Sequence, residues 1–433
     1  MRVSSWVAAT LFLLFIVTMI PSPNAATITP MQANLIPPKF ANWTAWLESI
    51  SKTPTQGAGC FVATYPNPVW QETQCGAPAS GDETPSHTTT TDSGGDGLDE
   101  VVGNGHNYVA ESPSTLIGNA IGALANVTGV TSETDVPCSG VPVVCGGKGG
   151  QGPNAYSLQL NTQGGIAGQG FPVNSPYSDN AKVTGWEQFM FLNTEKRTQR
   201  DFTGIFIEYW LQGYNKVNCP QDGSGGCCDR IPTPPNTPPS GVWQTDDLGN
   251  CFAATDKMRV PFISAKDLSG LWLQASADFN GNDRVMFCAL RFSKCFSFSN
   301  PANILNMYEH WHLAEFNVVG YVDGSQAQFN SGTEITVGIG IQDHQWKPIM
   351  PVTPCPINGQ TGETNNLYLS PCSIQQKSGL GLPVNSMVFT ERNTEGNASG
   401  TSTFASLDKV EAVIIDDAVC CDCVRSFRIM YMI

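Results

Sequence analysis

The stretch "GLWLQASADFNGNDRVMFCALRF", residues 270–292, decides how the chain folds. Two runs rich in aromatic and branched apolar residues flank Asn280-Gly281, the dipeptide that most strongly signals a β-hairpin. Outward from it the same two-residue period recurs in "AYSLQLNT" (155–162), "GWEQFMFLN" (185–193) and "GIFIEYWLQGY" (204–214). It continues in "AEFNVVGYV", "EITVGIGIQ", "SMVFTER" and "KVEAVII". At least nine strands with short connections, and no sustained 3.6-residue pattern, predict an all-β protein. The expected architecture is an antiparallel β-sandwich, jelly-roll-like or concanavalin-like, stabilised by disulfides. One short helix is expected around "NWTAWLESI". A second is conceivable over 112–129, but the glycines there argue against it.

The first twenty-five residues stand apart. Arg2 precedes an apolar run from Trp6 to Ile20, and small residues follow at Ala25 and Ala26. That layout predicts a secretory signal peptide, residues 1–25. Its apolar core falls short of the ~20 residues of a membrane span. The expected location is therefore extracellular, with no membrane partner once the signal is cleaved. Fifteen cysteines agree, because an exported chain oxidises them. Near neighbours suggest the bridges Cys60–Cys75, Cys138–Cys145, Cys288–Cys295 and Cys355–Cys372. The odd thiol is expected in Cys227–Cys228 or Cys420–Cys421–Cys423. A formal charge of −15 argues against nucleic acid or anionic membrane as partners, since phosphate binding needs clustered Lys and Arg, and no nucleic-acid partner is expected.

Residues 27–433 are expected to form a single large β domain. Its core strands would lie at about 154–346, after an N-terminal extension, 27–150, and before C-terminal strands, 351–433. Residues 76–100 hold almost nothing apolar and predict a mobile loop. The segments 139–153 (Gly-rich) and 229–241 (Pro-rich) also predict loops. Sequons stand at Asn42, Asn126 and Asn397.

Alternation along the strands nominates site residues. In 204–214 one face presents Phe206, Glu208, Trp210 and Gln212, and the other presents Ile205, Ile207, Tyr209 and Leu211. The second face is core; the first sets a carboxylate beside an indole. The strand before it puts Trp186, Gln188 and Met190 on one face, and a hairpin between the two brings Gln188 near Glu208 or Trp210. Trp186, Trp210, Gln212 and Trp311 are the expected substrate-binding residues. In "MYEHWHLAEFNVVG" (307–320), alternation groups Glu309, Trp311, Leu313, Glu315 and Asn317 against His310, His312, Ala314, Phe316 and Val318. His310 and His312, with His344 beside Asp343, could ligate a metal, but their face continues into apolar residues, so structural histidines are the simpler reading. No cofactor is expected. The "DFNGND" run at 278–283 mimics a calcium loop without its later ligands, and a turn explains it better.

Glu315 sits mid-strand between Ala314 and Phe316, where an acid is disfavoured unless it faces water or a cleft. Two carboxylates across a groove would serve a glycosidase. One carboxylate with a neutral amide would serve a peptidase. No Gly-x-Ser-x-Gly elbow occurs, and no histidine lies in a triad context.

"AEFNVVG" resembles the strand that carries the catalytic glutamate of the secreted glutamic peptidases. That resemblance implies a double-sheet sandwich, with Glu315 as the catalytic acid and Gln188 completing the dyad. It covers a few residues, and the family's wider motifs around its glutamine are not evident here. The "GWEQF" and "FIEYW" strands are also similar to those of exported, cysteine-bearing bacterial proteins of unassigned function. By that likeness Glu208 stands where a glutamine can occur, which weakens it as an obligatory acid. Three functions stay open: a secreted hydrolase of extracellular peptide or polysaccharide using Glu315, Gln188 and Glu208; a non-catalytic extracellular binding or surface protein; and a metal-dependent site at His310 and His312.

Overall fold

The computed structural model describes residues 43–76, 101–103, 105–137, 151–162, 171–172, 184–196, 202–212, 243–245 and 250–393, the last apart from 302–303, 323, 360 and 377–380. The signal segment, nearly all of the 76–100 loop, the Pro-rich 229–241 loop, Cys138–Cys145, both cysteine clusters and the "KVEAVII" strand lie outside the described residues. Within them, strands form one sheet of fourteen and one of nine. All pairings are antiparallel except that of Gln326–Phe329 with Thr364–Leu369. The only α-helix described is Trp43–Lys52, as "NWTAWLESI" predicts.

The hairpin at 270–292 forms between Leu271–Ala277 and Asp283–Ala289. Its loop, 278–282, is longer than a two-residue turn and is closed by a hydrogen bond from Asp278 N to Asn282 O. The Asp278 carboxylate accepts hydrogen bonds from the Asn280 and Asn282 amides at 2.8 and 3.1 Å, and Gly281 takes the left-handed conformation at φ 77°. The carboxylate's lone pairs are thus spent on its own loop.

Across the larger sheet the order runs Gly59–Thr64, Lys294–Asn300, Asp283–Ala289, Leu271–Ala277, Asn119–Thr128, Glu334–Gln342, Ser386–Arg392. The smaller sheet runs Cys251–Ala254, Gly204–Gln212, Thr184–Asn193, Tyr156–Asn161, Leu313–Gly320, Val109–Glu111. Between the sheets lies the main core. Leu158, Leu160, Phe189, Ile207 and Phe316 of one sheet meet Leu273, Phe287, Val337 and Ile339 of the other. The rings of Phe191 and Phe287 stack across the layer at 4.1 Å and 3°.

Asn119–Thr128 belongs to the stretch where a helix was conceivable, and to the expected N-terminal extension; it is a central strand. Its glycines serve the packing of the layers. A Cβ on Gly122 would fall 2.0 Å from the Phe316 ring, so only glycine admits that ring. Gly122→Ala is accordingly expected to destabilise by about 1–3 kcal/mol, the usual cost of overpacking. Urea unfolding measures this; a change under about 0.5 kcal/mol would mean that the ring shifts freely.

On the outer face of the larger sheet, the helix buries Trp46, Leu47 and Ile50 against Trp70, Trp272 and Met286. Three of the four expected local disulfides are present: Cys60–Cys75, Cys288–Cys295 and Cys355–Cys372. Closed loops of this kind contribute ~2–4 kcal/mol each, chiefly by restricting the unfolded chain.

Candidate active site

The smaller sheet turns its second face away from the sandwich core, and that face carries a polar row between two apolar clusters, one at Trp186 and Trp210 and one at Met190 and Phe206. Register puts Glu208 opposite Gln188, Gln188 opposite Asn161 and Asn161 opposite Glu315. Four neighbouring strands therefore carry a straight row, Glu208–Gln188–Asn161–Glu315. Strands lie about 4.8 Å apart, so Glu315 stands ~5 Å from Asn161, ~10 Å from Gln188 and ~14 Å from Glu208 in backbone position. The row follows from local pattern: in each strand the residues of opposite parity enter the core and are mostly apolar, Glu187 being the charged exception.

Hydrogen bonds tie the row together. Trp210 Nε1 donates to Gln188 Oε1 at 2.8 Å and to Glu208 Oε2 at 3.2 Å. Gln188 Nε2 donates to Asn161 Oδ1 at 3.2 Å. Asn161 Nδ2 approaches Glu315 Oε2 at 3.5 Å, while Asn107 Nδ2 donates to Glu315 Oε1 at 2.8 Å. A second tier extends the network. Thr361 Oγ1 donates to Gln159 Oε1 at 2.6 Å, and Gln159 Nε2 donates to Glu363 Oε2 at 3.1 Å. Asn317 Nδ2 bridges to Asn107 Oδ1 and Glu391 Oε2. Burial pushes the Glu391 carboxyl up to about 8, against the opposing pull of its bonds from Asn317 and Asn365.

This face is closed. Glu315 is 2% exposed and Glu208 fully buried. Two stretches of chain lie over Glu315 and hold each other. Gly105 N donates to Gly359 O, Gly359 N to Asn107 O, and Val109 N to Pro356 O. A Cβ on Gly359 would lie 2.4 Å from Glu315 Oε1, so the strap fits only as glycine. Its base is tied by the Cys355–Cys372 disulfide.

Trp186 and Trp210 share this face and stack on each other at 5.7 Å, with Phe252 beside them. Both are buried, not open to solvent in a row. Gln212 lies on the same strand face and is buried as well. Trp311 sits elsewhere. It enters the sandwich core, where its ring stacks on Phe189 at 6.1 Å. The alternation expected over 307–312 fails because Met307–Glu309 is a 3-10 turn and the strand starts at Leu313. Asn306 enters that turn in the left-handed conformation, φ 54°, and the Trp311 amide bonds back to Met307 O.

His312 is exposed and His310 half-buried on that turn, and His344 packs on Tyr308 at 4.7 Å. Among the described residues no group of three or more His, Cys, Asp or Glu is arranged to hold a metal.

Asn161 and Gln159 had a sequence signal that the reading above passed over: Ser157, Gln159 and Asn161 alternate as polar residues in "AYSLQLNT". Asn107, Glu363 and Glu391 had none, since register and loop path alone bring them in.

No family model and no curated protein matches the chain. Solved structures similar to it include scytalido-glutamic peptidase with a transition state analog inhibitor, at 11% identity and a TM-score of 0.27, covering 68% of this chain and 100% of that chain. Scytalido-glutamic peptidase with a peptide-based transition state analog gives 12% and 0.21, covering 67% and 100%. SCP-B, a member of the eqolisin family of peptidases in complex with a tripeptide, gives 10% and 0.22, covering 67% and 100%. Such values assign neither a family nor an activity to this chain.

Proposed function

We propose that the protein is an exported hydrolase of extracellular peptide, with Glu315 as the base that activates water. The observation that carries the reading is the row itself: one carboxylate with amide side chains beside it at one and two strand spacings. Glu315 would take a proton from water as its oxygen attacks the scissile carbonyl. The amides of Asn161 and Gln188 would donate to the oxyanion that forms. Asn107, bonded to Oε1, would aim the carboxylate. Glycan is the weaker substrate on distance. Paired glycosidase carboxylates lie about 5–9.5 Å apart, whereas Glu315 and Glu208 are separated by three strand spacings, ~14 Å. Because the 356–359 strap covers Glu315, turnover requires the strap to part from 105–109.

A second reading, a non-catalytic extracellular binding or surface protein, is favoured by the burial of the network and the bonding of Glu315 within it. The experiment is an acid-to-neutral pH series on mixed denatured protein and polysaccharide. New peptide amino termini without new reducing sugar ends are expected. Reducing ends alone would replace peptide with glycan, and no product of either kind would leave the binding reading.

A further inference from the structure

The larger sheet carries a polar row of its own on its outer face. Register places Ser299 opposite Arg284, Arg284 opposite Ser276, Ser276 opposite Asn119 and Asn119 opposite Gln342. Most of this row floors a cleft of about 480 Å³ beside the 278–282 turn, walled by Phe279, His344 and Trp346. That volume lies within the range of small-ligand sites, roughly 300–1,000 Å³.

Three features set this cleft apart from an ordinary surface hollow. Arg284 is 8% exposed, and no carboxylate pairs with it among the described residues. Its Nε donates to Ser297 Oγ at 2.8 Å, and its Nη1 donates to the carbonyls of Ser51, in the last turn of the helix, and Thr53, just beyond it. Among the described residues Nη2 hydrogen-bonds only the Met286 thioether, at 3.4 Å, a weak acceptor. The guanidinium lies over the Trp70 ring at 5.1 Å, a contact that supplies no counter-charge. Burial lowers its pKa to about 10, so it stays charged at neutral pH. Secondly, both nitrogens of His344 are buried without a hydrogen-bond partner among the described residues. The ring reaches the cleft because residue 118 is glycine; a Cβ there would lie 2.6 Å from Nδ1. Thirdly, Trp346 holds φ 64°, a left-handed conformation that is costly for a bulky residue. Gln342, at the end of the row, donates to the Trp346 carbonyl at 3.1 Å and keeps it there.

The rim acids do not supply the missing counter-charge. Asp278 serves its own turn, and Asp343 accepts from the Gln345 and Lys347 amides. Lys52 at the rim is paired with Glu48.

We propose that this cleft binds an acidic sugar, a hexuronate unit of a polysaccharide, with its carboxylate on Arg284. The ring hydroxyls would bond to Ser276 and His344, and its apolar face would lie against Trp346, with Phe279, which is 72% exposed, at the rim. A carboxylate alone would explain only the arginine. The Ser276 hydroxyl and the His344 imidazole together with an aromatic wall fit a polyhydroxylated ring. The site lies on the other sheet from Glu315 and does not depend on the hydrolase reading.

Calorimetric titration of the full chain with trigalacturonate tests it, against a neutral galactose trisaccharide and a pentaglutamate peptide. Trigalacturonate is expected to bind at least ~10-fold more tightly than either, since one well-paired charged contact contributes on that scale. Arg284→Gln should abolish the preference for the acidic sugar. As Arg284 also ties down the helix end, Trp346→Asn is the second variant. Asparagine tolerates the left-handed backbone, so the unfolding temperature should hold or rise while affinity drops ~10-fold. Absence of trigalacturonate binding, equal binding of the neutral sugar, stronger binding of pentaglutamate, or an unchanged affinity in Trp346→Asn would each overturn the assignment.

Discussion

Glu315→Gln is expected to lower peptide turnover by ~10²–10⁴-fold, the scale of losing a general base, while the fold survives. Glutamine keeps the shape, and its carbonyl oxygen can still accept from Asn107 or Asn161, each of which bonds a different carboxylate oxygen in the wild type. It cannot take a proton from water. The amides should rank by distance along the row. Asn161→Ala, one strand from Glu315, should cost ~10²–10³-fold, the scale of a lost oxyanion donor, and Gln188→Ala less. Glu208→Gln should cost least, because Glu208 is three strands away from Glu315. Initial rates on a denatured protein substrate, with circular dichroism to verify folding, give the order. Wild-type turnover in Glu315→Gln would remove the catalytic assignment and leave the network as architecture.

Stability should fall steeply as pH rises from about 4.5 to 9. Burial pushes up the carboxyls of Glu133 to about 9, Asp283 to about 8 and Glu391 to about 8. It also raises Glu187, which is fully buried beside Asp283. The unfolded chain releases these protons at ordinary carboxyl pKa values, near 4. Between that pH and about 8–9 the native state holds more protons than the unfolded state, so raising the pH favours unfolding. The contribution is fully present below pH 4 and is lost as each folded pKa is passed. Each unit of difference is worth about 1.4 kcal/mol, so even partial shifts sum to several kcal/mol.

Between the sheets the main group is Glu187 with Asp283, whose Oδ2 accepts from the Tyr209 hydroxyl at 3.2 Å. Asn300 Nδ2 in turn donates to that hydroxyl at 2.7 Å. Thermal unfolding from pH 4 to 9 should show the midpoint falling, and Glu187→Gln should flatten the slope. A midpoint that rises toward neutral pH would mean that these carboxyls ionise within the fold. An acid optimum for stability would also suit a hydrolase assayed from acid pH upward.

Much of the architecture could be read from short-range pattern. Strand existence followed from the two-residue period, and Glu334–Gln342 and Ser386–Arg392 carry the bounds that "EITVGIGIQ" and "SMVFTER" suggest. The helix at Trp43–Lys52 was visible because its tryptophans and leucine recur at helical spacing. Three bridges lay between near cysteines, since short loops bring such pairs together at small entropic cost. The face of each strand was legible too, because Glu208, Gln188 and Glu315 each alternate with core residues.

Register was not legible. That Asn161 stands between Gln188 and Glu315 depends on which strands neighbour which, and Tyr156–Asn161 pairs with a strand more than 150 residues away. The 307–312 segment misled for a local reason: a left-handed Asn306 and back-bonded amides make a turn where alternation alone continues the strand. Trp311 consequently points into the core. Burial of the polar face was the largest surprise. A polar stripe on a strand reads as wet, yet glycine at 359 lets a strap from a distant part of the chain lie directly on Glu315. Side-chain polarity is a property of residues, whereas access to water is decided by what the rest of the chain lays over them.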